Sequence, residues 1–404
     1  MNEVNFLPVL LASDINVYSM ARAFHEEYGI TSLMVARGRG GITGKGMTNL
    51  FEYIEEPLLD KQDTFMKTME NVMERFGKDK TLFLFGCADH YVRLIVDNQA
   101  KLREMGFTVP YSPKEVMDRL ILKENFYKLC DEYNLDYPAT FIYKPEMNFE
   151  FKIDFGFPAI LKASDSVKVL QHKYPGYKKA YRVESMDELM TTLKNVYASG
   201  YDGNMILQNF IPGEDDSEYD LQMYIGTDHK VKLMNFGNVI LEEHTPTAIG
   251  NNAATITAYN EELMQKVGHM MEDIGYVGFA DADIKYDSRD GKFKLFEINI
   301  RQGRSHYRVT GAGNNIAKLA VDDWLLHKEL PQILVKEPHF WHVVPLGVVY
   351  KYVKDPEKVA LVKKLVAEGK VCDSSDYSKD MPLKRRIYLI LRKINFYKKF
   401  KKYY

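Results

Sequence analysis

The stretch LFEINIRQGRSHY, residues 295–307, sets Glu297, Asn299 and Arg301 at alternate positions on what reads as the end of a strand. Strand side chains alternate faces, so these three point the same way. By the same count Leu295 falls on their face, while Phe296, Ile298 and Ile300 fall on the other and can enter a core. One face is then apolar, and the other collects oxygen ligands and a fixed cation. A strand with one solvated face is the bland alternative. Asp283 weakens it. In VGFADADIKYDSRDGKFKLFEINIR two strands flank a turn at Asp290-Gly291, so Asp283 and Glu297 lie on neighbouring arms. Ala280, Ala282 and Ile284 interleave with Asp281 and Asp283, a half-buried pattern rather than an exposed ribbon. Two carboxylates and an amide oxygen suit Mg2+, which takes oxygen ligands and leaves room for phosphate oxygens. Lys162 ends the apolar run FPAILK, and Lys123 opens a helical stretch after RLIL. A single lysine is ordinarily solvated. Two of them beside an acid–acid–amide set read as charges on the phosphates of a nucleotide.

The elements that must position these groups follow from the patterning. Residues 4–12 are an apolar strand, NVYSMARAFHEEYG a helix stopped by Gly29, and ITSLMVAR a second strand. TLFLFGCADHYVRLIVDN is a strand running into a helix, so a small parallel sheet is predicted to about residue 115. GRGGITGKG is not a phosphate loop: Arg39 stands five before Gly44, and Gly46 replaces the required Ser or Thr. It reads as a flexible turn. A second unit begins at SPKEVMDRLILKENF, with Ser112 expected to cap a helix carrying Pro113 at its first position. Beyond it come a strand at FGFPAILK, a helix at MDELMTTLKNVYAS, a strand at NMILQNF, and a hairpin turning at Gly-Thr-Asp-His (226–229). The helix EELMQKVGHMMEDIGY precedes the acidic hairpin. Mixed antiparallel strands and helices of this kind indicate α+β lobes.

The ordered set LKENFYKLCDEYNLDYPAT, FPAILKAS, MILQNFIPGEDD and FADADIKYDSRDGKFKLFEINIR resembles the ATP-grasp superfamily over about residues 112–325. Within it the carboxylate–amine ligases are most similar, and among them the D-aspartate ligases. Their cues are LLASDINVYSMARAFHEEYGI, FGCADHYVRLI, PGYKKAYRVES and EINIRQGRSHY. The resemblance implies an α/β and α+β protein, an ATP-grasp fold preceded by a small parallel-sheet domain and followed by a basic C-terminal extension. The expected units are 1–111 (pre-ATP-grasp), 112–205 and 206–330 (the two ATP-grasp lobes), 331–383 (a segment packing on the body) and 384–404 (a basic aromatic tail). It also implies that Lys123 and Lys162 hold the ATP phosphates. Gln208, Asn209, Phe210 and Ile211 would form the hinge that reads adenine, chiefly through backbone groups, and Asp215 would face the ribose. Asp283, Glu297 and Asn299 would bind two Mg2+ ions, with Mn2+ an expected substitute. D-alanine–D-alanine ligases differ: they carry a glycine and paired serines in the loop after the second lysine, here ASDSVKVLQHKYPG, and an arginine where this chain has Asp281. Arg301 or Arg304 would then stabilise the charge that builds as an acyl phosphate is attacked. The implied reaction activates a carboxylate with ATP and joins it to an amine, with the loop at 163–180 closing to exclude water. On the D-aspartate reading the β-carboxylate is activated, and the acceptor is the side-chain amine of the third residue of a cell-wall peptide precursor.

Composition bounds the rest. The chain has 404 residues, 46% of them hydrophobic and 27% charged, enough for two or three cored domains. No apolar run spans a membrane, and MNEVNFLPVLLASD reads as a first strand rather than a signal peptide. Three scattered cysteines form no metal or disulfide pattern, so a reducing cytoplasm is expected. From Lys384 onward there are nine Lys or Arg and no acid, so the net charge of −2 hides a body of −11. That body repels nucleic acid. Spaced as a helix, Ile387, Leu391, Ile394 and Lys398 share a side flanked by basic residues, which suits peripheral contact with anionic lipid at the inner face of the membrane. An acidic partner and a solubility tail are the alternatives for this segment. The rival readings of the whole chain are a ligase for another amino acid or peptide, and a non-catalytic ATP-binding adaptor working through the tail.

Overall fold

A computed structural model describes residues 5–165, 168–172, 174, 176–246 and 248–404. The first sheet holds β1 (Phe6–Leu11), β2 (Ser32–Ala36), β3 (Phe51–Glu55) and β4 (Thr81–Gly86) in the order β3-β2-β1-β4, all parallel. All six residues of β1 are buried, as a continuous apolar run in a parallel sheet should be. The strand order reverses between β1 and β4, which opens a crevice beyond their carboxyl ends. Ala12, at that end of β1, has φ 144°, a value non-glycine residues rarely adopt. Asp14 then caps the helix Ile15–Tyr28 by accepting from Asn16 N and Val17 N, and Gly29 closes it at φ 68°. The glycine-rich segment is a turn with one short 3-10 helix, Gly41–Thr43, whose Thr43 hydroxyl donates to Ser13 O at 2.7 Å.

The second sheet is antiparallel: β5 (Thr140–Tyr143), β6 (Ala159–Ala163), β7 (Ala180–Val183) and β8 (Met205–Asn209), ordered β5-β8-β6-β7. The helix Met186–Ala198, capped by Ser185, packs with it around Tyr143, Leu161, Leu189 and Leu193 to form a separate small core. The third sheet has eight strands: β9 (Glu218–Ile225), β10 (Val231–Glu243), β11 (Asn251–Thr257), β12 (Gly278–Asp287), β13 (Lys292–Asn299), β14 (Ile333–Leu334), β15 (Phe340–His342) and β16 (Val371–Asp373). The order is β13-β12-β9-β10-β11-β15-β16, with β14 beside β10. Residues 331–383 thus enter the sheet through β14, β15 and β16, none of which the patterning revealed.

One local expectation needs correcting. Ser112 does not cap the helix Lys114–Ile121; Pro113 occupies that position without a side-chain bond. The Ser112 hydroxyl instead accepts from Val277 N at 2.7 Å and donates to Val277 O at 3.2 Å. Gly278, at φ 102°, turns the chain there, and the serine satisfies two buried backbone groups at the entry to β12. Residues 384–403 are helical, as their spacing allows. A 21-residue helix, Leu383–Tyr403, buries Arg385, Leu389, Phe396 and Phe400 against the body. Arg385 lies 4.1 Å over the Tyr18 ring and donates to Ser375 O at 2.7 Å.

Candidate active site

Asp283 pairs directly with Glu297, and Asp281 with Asn299, across β12 and β13. On the other side of β12, Asp283 pairs with Asp220 and Asp281 with Gln222 of β9. Residues directly opposite in an antiparallel pair share a face. Six polar side chains from three strands therefore face one way, with Ala280, Ala282, Ile284 and Ile298 buried behind them. The alternation fails at one point. The register slips between Asp283/Glu297 and Ile284/Leu295, leaving Phe296 as the extra residue of a β-bulge. A bulge inverts the parity of everything before it. Leu295 is consequently fully buried in the core, contrary to the count from sequence, and Phe296 turns to the polar side. There its ring lies 5.4 Å from the Lys162 Nζ. Tyr127 pins the bulge: its hydroxyl donates to Phe296 O at 3.0 Å and accepts from Gln208 Nε2 at 2.9 Å.

The charges around this face are strongly coupled. Lys123, at the start of the helix Lys123–Glu132, forms an ion pair with Glu297. That ammonium, outweighing burial, holds the Glu297 carboxyl well below the usual range. Asp283 behaves oppositely: burial, then the Glu297 charge, push it up to about 7, although Asn299 Nδ2 donates to it at 3.2 Å. Burial, reinforced by the Lys123 charge, brings Lys162 down to about 7. Lys179 adds its field to Asp283, Glu297 and Lys162, and sequence reasoning missed it. It follows another lysine in PGYKKAY, and nothing in that pattern marks it. Of the loop expected to close over the site, positions 166, 167, 173 and 175 lie outside the described residues.

Arg301 continues from β13 to the crevice of the first sheet. It binds Asp89 through two nitrogens, at 2.6 and 3.1 Å. Burial opposes its charge, but Asp89, with Asp281 and Asp283, raises its pKa further. Arg304 turns instead to Glu243 on β10, at 2.6 Å. The fields of both arginines reach Asp14, whose carboxyl burial nevertheless raises. The loop between them and the helix Tyr307–Gly311 is fixed from below by Asp220. That carboxylate accepts from Ser305 Oγ at 2.6 Å, Gln222 Nε2 at 3.2 Å, Asn252 Nδ2 at 3.2 Å and Arg308 Nη2 at 2.6 Å. Arg308 and Asp220 are both fully buried. Gly237, opposite Asp220, has no room for a Cβ because the Arg308 guanidinium fills the space. Asp220 and Gln222 were not singled out from sequence, although YDLQ repeats the same polar alternation as FEIN.

The expected adenine hinge joins the second sheet to the third. Gln208 is buried, its side-chain Nε2 donating to the Tyr127 hydroxyl and Thr140 Oγ1. The Asn209 and Phe210 amides donate to Ala139 O and Pro158 O, and Arg182 covers the Phe210 ring at 4.5 Å. Ile211 is buried. Asp215 accepts from Glu242 N at 2.9 Å and meets His244 Nε2 at 2.8 Å, and the Tyr404 hydroxyl donates to it. Ligand atoms of Asp215, Glu242 and His244 lie within 4.8 Å of one another. Burial and the charges of Glu218 and Asp215 lift Glu242 to about 8.

The donor set fits a divalent cation. Asp283 and Glu297 are adjacent like charges; among the described residues Asp283 makes no ion pair and feels the fields of Lys179 and Arg301, whereas Lys123 pairs directly with Glu297. Three sheets in this arrangement set acids and an amide opposite two lysines. An L-amino acid ligase from Bacillus licheniformis superposes with a TM-score of 0.57 at 15% identity, covering 80% of this chain and 75% of that one. The biotin carboxylase domain of Hydrogenobacter thermophilus 2-oxoglutarate carboxylase, solved with MgADP, gives 0.60 at 15% identity, covering 83% and 73%. No protein-family model matches the sequence. A D-aspartate ligase of Enterococcus faecium (strain Aus0004) is 37% identical over 410 residues, spanning 99% of this chain and 97% of that protein. The chain belongs to the D-aspartate ligase family, and it is an ATP-dependent carbon–nitrogen ligase that forms ADP.

Proposed function

We propose that the chain activates the β-carboxylate of D-aspartate and joins it to the side-chain amine of the third residue of a cell-wall peptide precursor. The observation that carries the site assignment is the cross-strand pair Asp283–Glu297, with Asn299 beside it and Lys123 and Lys162 facing it. Asp283, Glu297 and Asn299 would hold two Mg2+ ions, or Mn2+ in their place, which when bound neutralise phosphate charge. Lys123 exchanges its bond to Glu297 for a phosphate oxygen, and the negative charge of that phosphate raises the Lys162 pKa so that its amine takes up a proton from solvent. The substrate carboxylate attacks the γ-phosphorus and the bond to ADP breaks. The amine then attacks the acyl carbon, phosphate leaves with the bonding pair, and the amine proton is lost. Arg301, held at the crevice by Asp89, faces the charge that builds on the acyl oxygen. Arg304, engaged by Glu243, positions the loop. Adenine is read along Asn209–Ile211 by backbone, and the ribose approaches Asp215 as Tyr404 yields.

The support for D-aspartate is the full-length relative. The chain acts in the cytoplasm, with peripheral contact to anionic membrane through residues 384–404. The test is ADP and phosphate release from Mg-ATP with a panel of D- and L-amino acids, with and without a lysine-containing muropeptide precursor. Release requiring D-aspartate and precursor together, with a product heavier by one aspartyl residue, is expected. Release with another pair overturns the substrate assignment. Glu297→Gln is expected to lower turnover at least about 100-fold, because a metal ligand and the Lys123 partner are lost together.

A further inference from the structure

Among the described residues, ten large hydrophobic side chains are exposed, and eight of them belong to residues 383–404. Leu383, Ile387, Ile390, Leu391, Ile394 and Tyr397 are each 45–73% exposed. At 100° per residue they form one stripe, about 21 Å long at 1.5 Å rise. The opposite side carries Arg385, Leu389, Phe396 and Phe400, all buried. The helix is therefore amphipathic twice over, with one apolar face bolted to the body and a second left bare.

We infer that this bare stripe is a preformed docking face for an anionic lipid bilayer, which deepens the membrane part of the reading above and does not depend on the ligase chemistry. The charge pattern identifies the occupant. Lys384, Arg386, Lys393, Lys398, Lys401 and Lys402 are exposed around the stripe and at its end, no acid occurs from 383 onward, and none of the six makes an ion pair among the described residues. An apolar stripe edged by lysines, with Tyr397, Tyr403 and Tyr404 near its end, matches the acyl, headgroup and interfacial layers of a membrane surface. A second copy fits less well, because symmetric pairing would press two acid-free helices with nine positive charges each together. No helix is long and apolar enough to cross the bilayer, so the contact is peripheral. The helix is already folded and held along its other side, so docking needs no ordering of the segment. It also fixes the orientation of the molecule: the first turn grips Tyr18 and Ser375 through Arg385, and the last turn reaches Asp215 at the nucleotide cleft through Tyr404.

The test is sedimentation of the full chain with phosphatidylglycerol/phosphatidylcholine vesicles and with pure phosphatidylcholine vesicles. The wild type and Ile387→Asp/Leu391→Asp are compared, together with a charge variant, Lys393→Gln/Lys398→Gln. Binding to anionic vesicles is expected, at least about tenfold weaker in either variant and weakened by raised salt. ADP release with soluble substrates and the circular dichroism spectrum stay unchanged in both. Equal binding by the variants, equal binding to neutral vesicles, or no binding overturns the inference. So does a stripe that proves to mediate self-association, seen as a variant-dependent change in oligomeric state without lipid. Vesicle binding without ADP release under any substrate would sink the ligase mechanism and leave the docking face standing.

Discussion

Lys162 and Asp283 both titrate near neutrality, but for opposite reasons, and each gives a measurable pH signature. Burial and Lys123 lower Lys162 to about 7, so in the empty site near pH 8 much of it is neutral. Bound phosphate restores its charge. Nucleotide binding above pH 7 should therefore take up a proton, and affinity should fall as pH rises, at most about tenfold per unit. Calorimetry in buffers of different ionisation enthalpy reads this uptake, and Lys162→Met should abolish it. Asp283, raised to about 7 from an ordinary 3.8, binds a proton in the folded state that the unfolded chain has lost. Its contribution to stability is present at low pH and is lost as pH rises from about 4 to about 7. Asp283→Asn should flatten that slope in metal-free protein and also remove the stabilisation by Mg2+ with ATP. Thermal unfolding against pH, with and without Mg-ATP, checks both. A slope unchanged by the substitution would refute the assignment.

At the scale of elements, the bulge in β13 separates two neighbours that alternation alone would misplace. Leu295→Ala should cost about 2–5 kcal/mol of stability, as core leucines do, with little effect on nucleotide affinity. Phe296→Ala should do the reverse, loosening the surface under Lys162 and weakening ATP binding more than folding. Urea unfolding and nucleotide titration on the two variants separate the cases. Asp220→Ala should cost about 3–5 kcal/mol, because Arg308 is left buried without its carboxylate. The pairing of Asp283 with Glu297, and of Asn299 with the same face, was readable because a two-residue period and an Asp-Gly turn both survive in the sequence. The bulge was not readable, since an inserted residue changes parity without changing composition. The part of Asp220 and Gln222 became plain only once β9 lay beside β12, a long-range pairing that local pattern does not encode. The helix Ile15–Tyr28 and its Gly29 stop were legible, because capping is chemistry between near neighbours. Ser112 was misread for the opposite reason: its partner, Val277, is distant in sequence.

At the scale of the molecule, the terminal helix bridges units far apart in sequence. Arg385 touches the first-sheet domain and the 331–383 segment, and Phe400 packs on Tyr352 at 5.4 Å. Truncation after residue 383 should lower the unfolding midpoint, because the covers of Tyr18 and Tyr352 leave with the helix. Ile387→Asp should leave the midpoint unchanged, since that side chain faces outward. Circular dichroism melts on the two proteins distinguish a structural strut from a dispensable appendage. Loss of vesicle binding in the truncated chain alone would confound folding with docking.

The low pKa of Lys162 also makes it a chemical liability. A neutral amine is a nucleophile, and this ligase makes an acylating agent in the same cleft. On the proposed site, bound phosphate would hold the lysine in its protonated form, so the hazard arises when ADP departs before the acceptor amine arrives. Prolonged turnover on ATP and the amino acid, with no acceptor present, should slowly inactivate the protein and leave an acyl mark on Lys162. Excess nucleotide should shield it, and peptide mass spectrometry would find the modification at that residue.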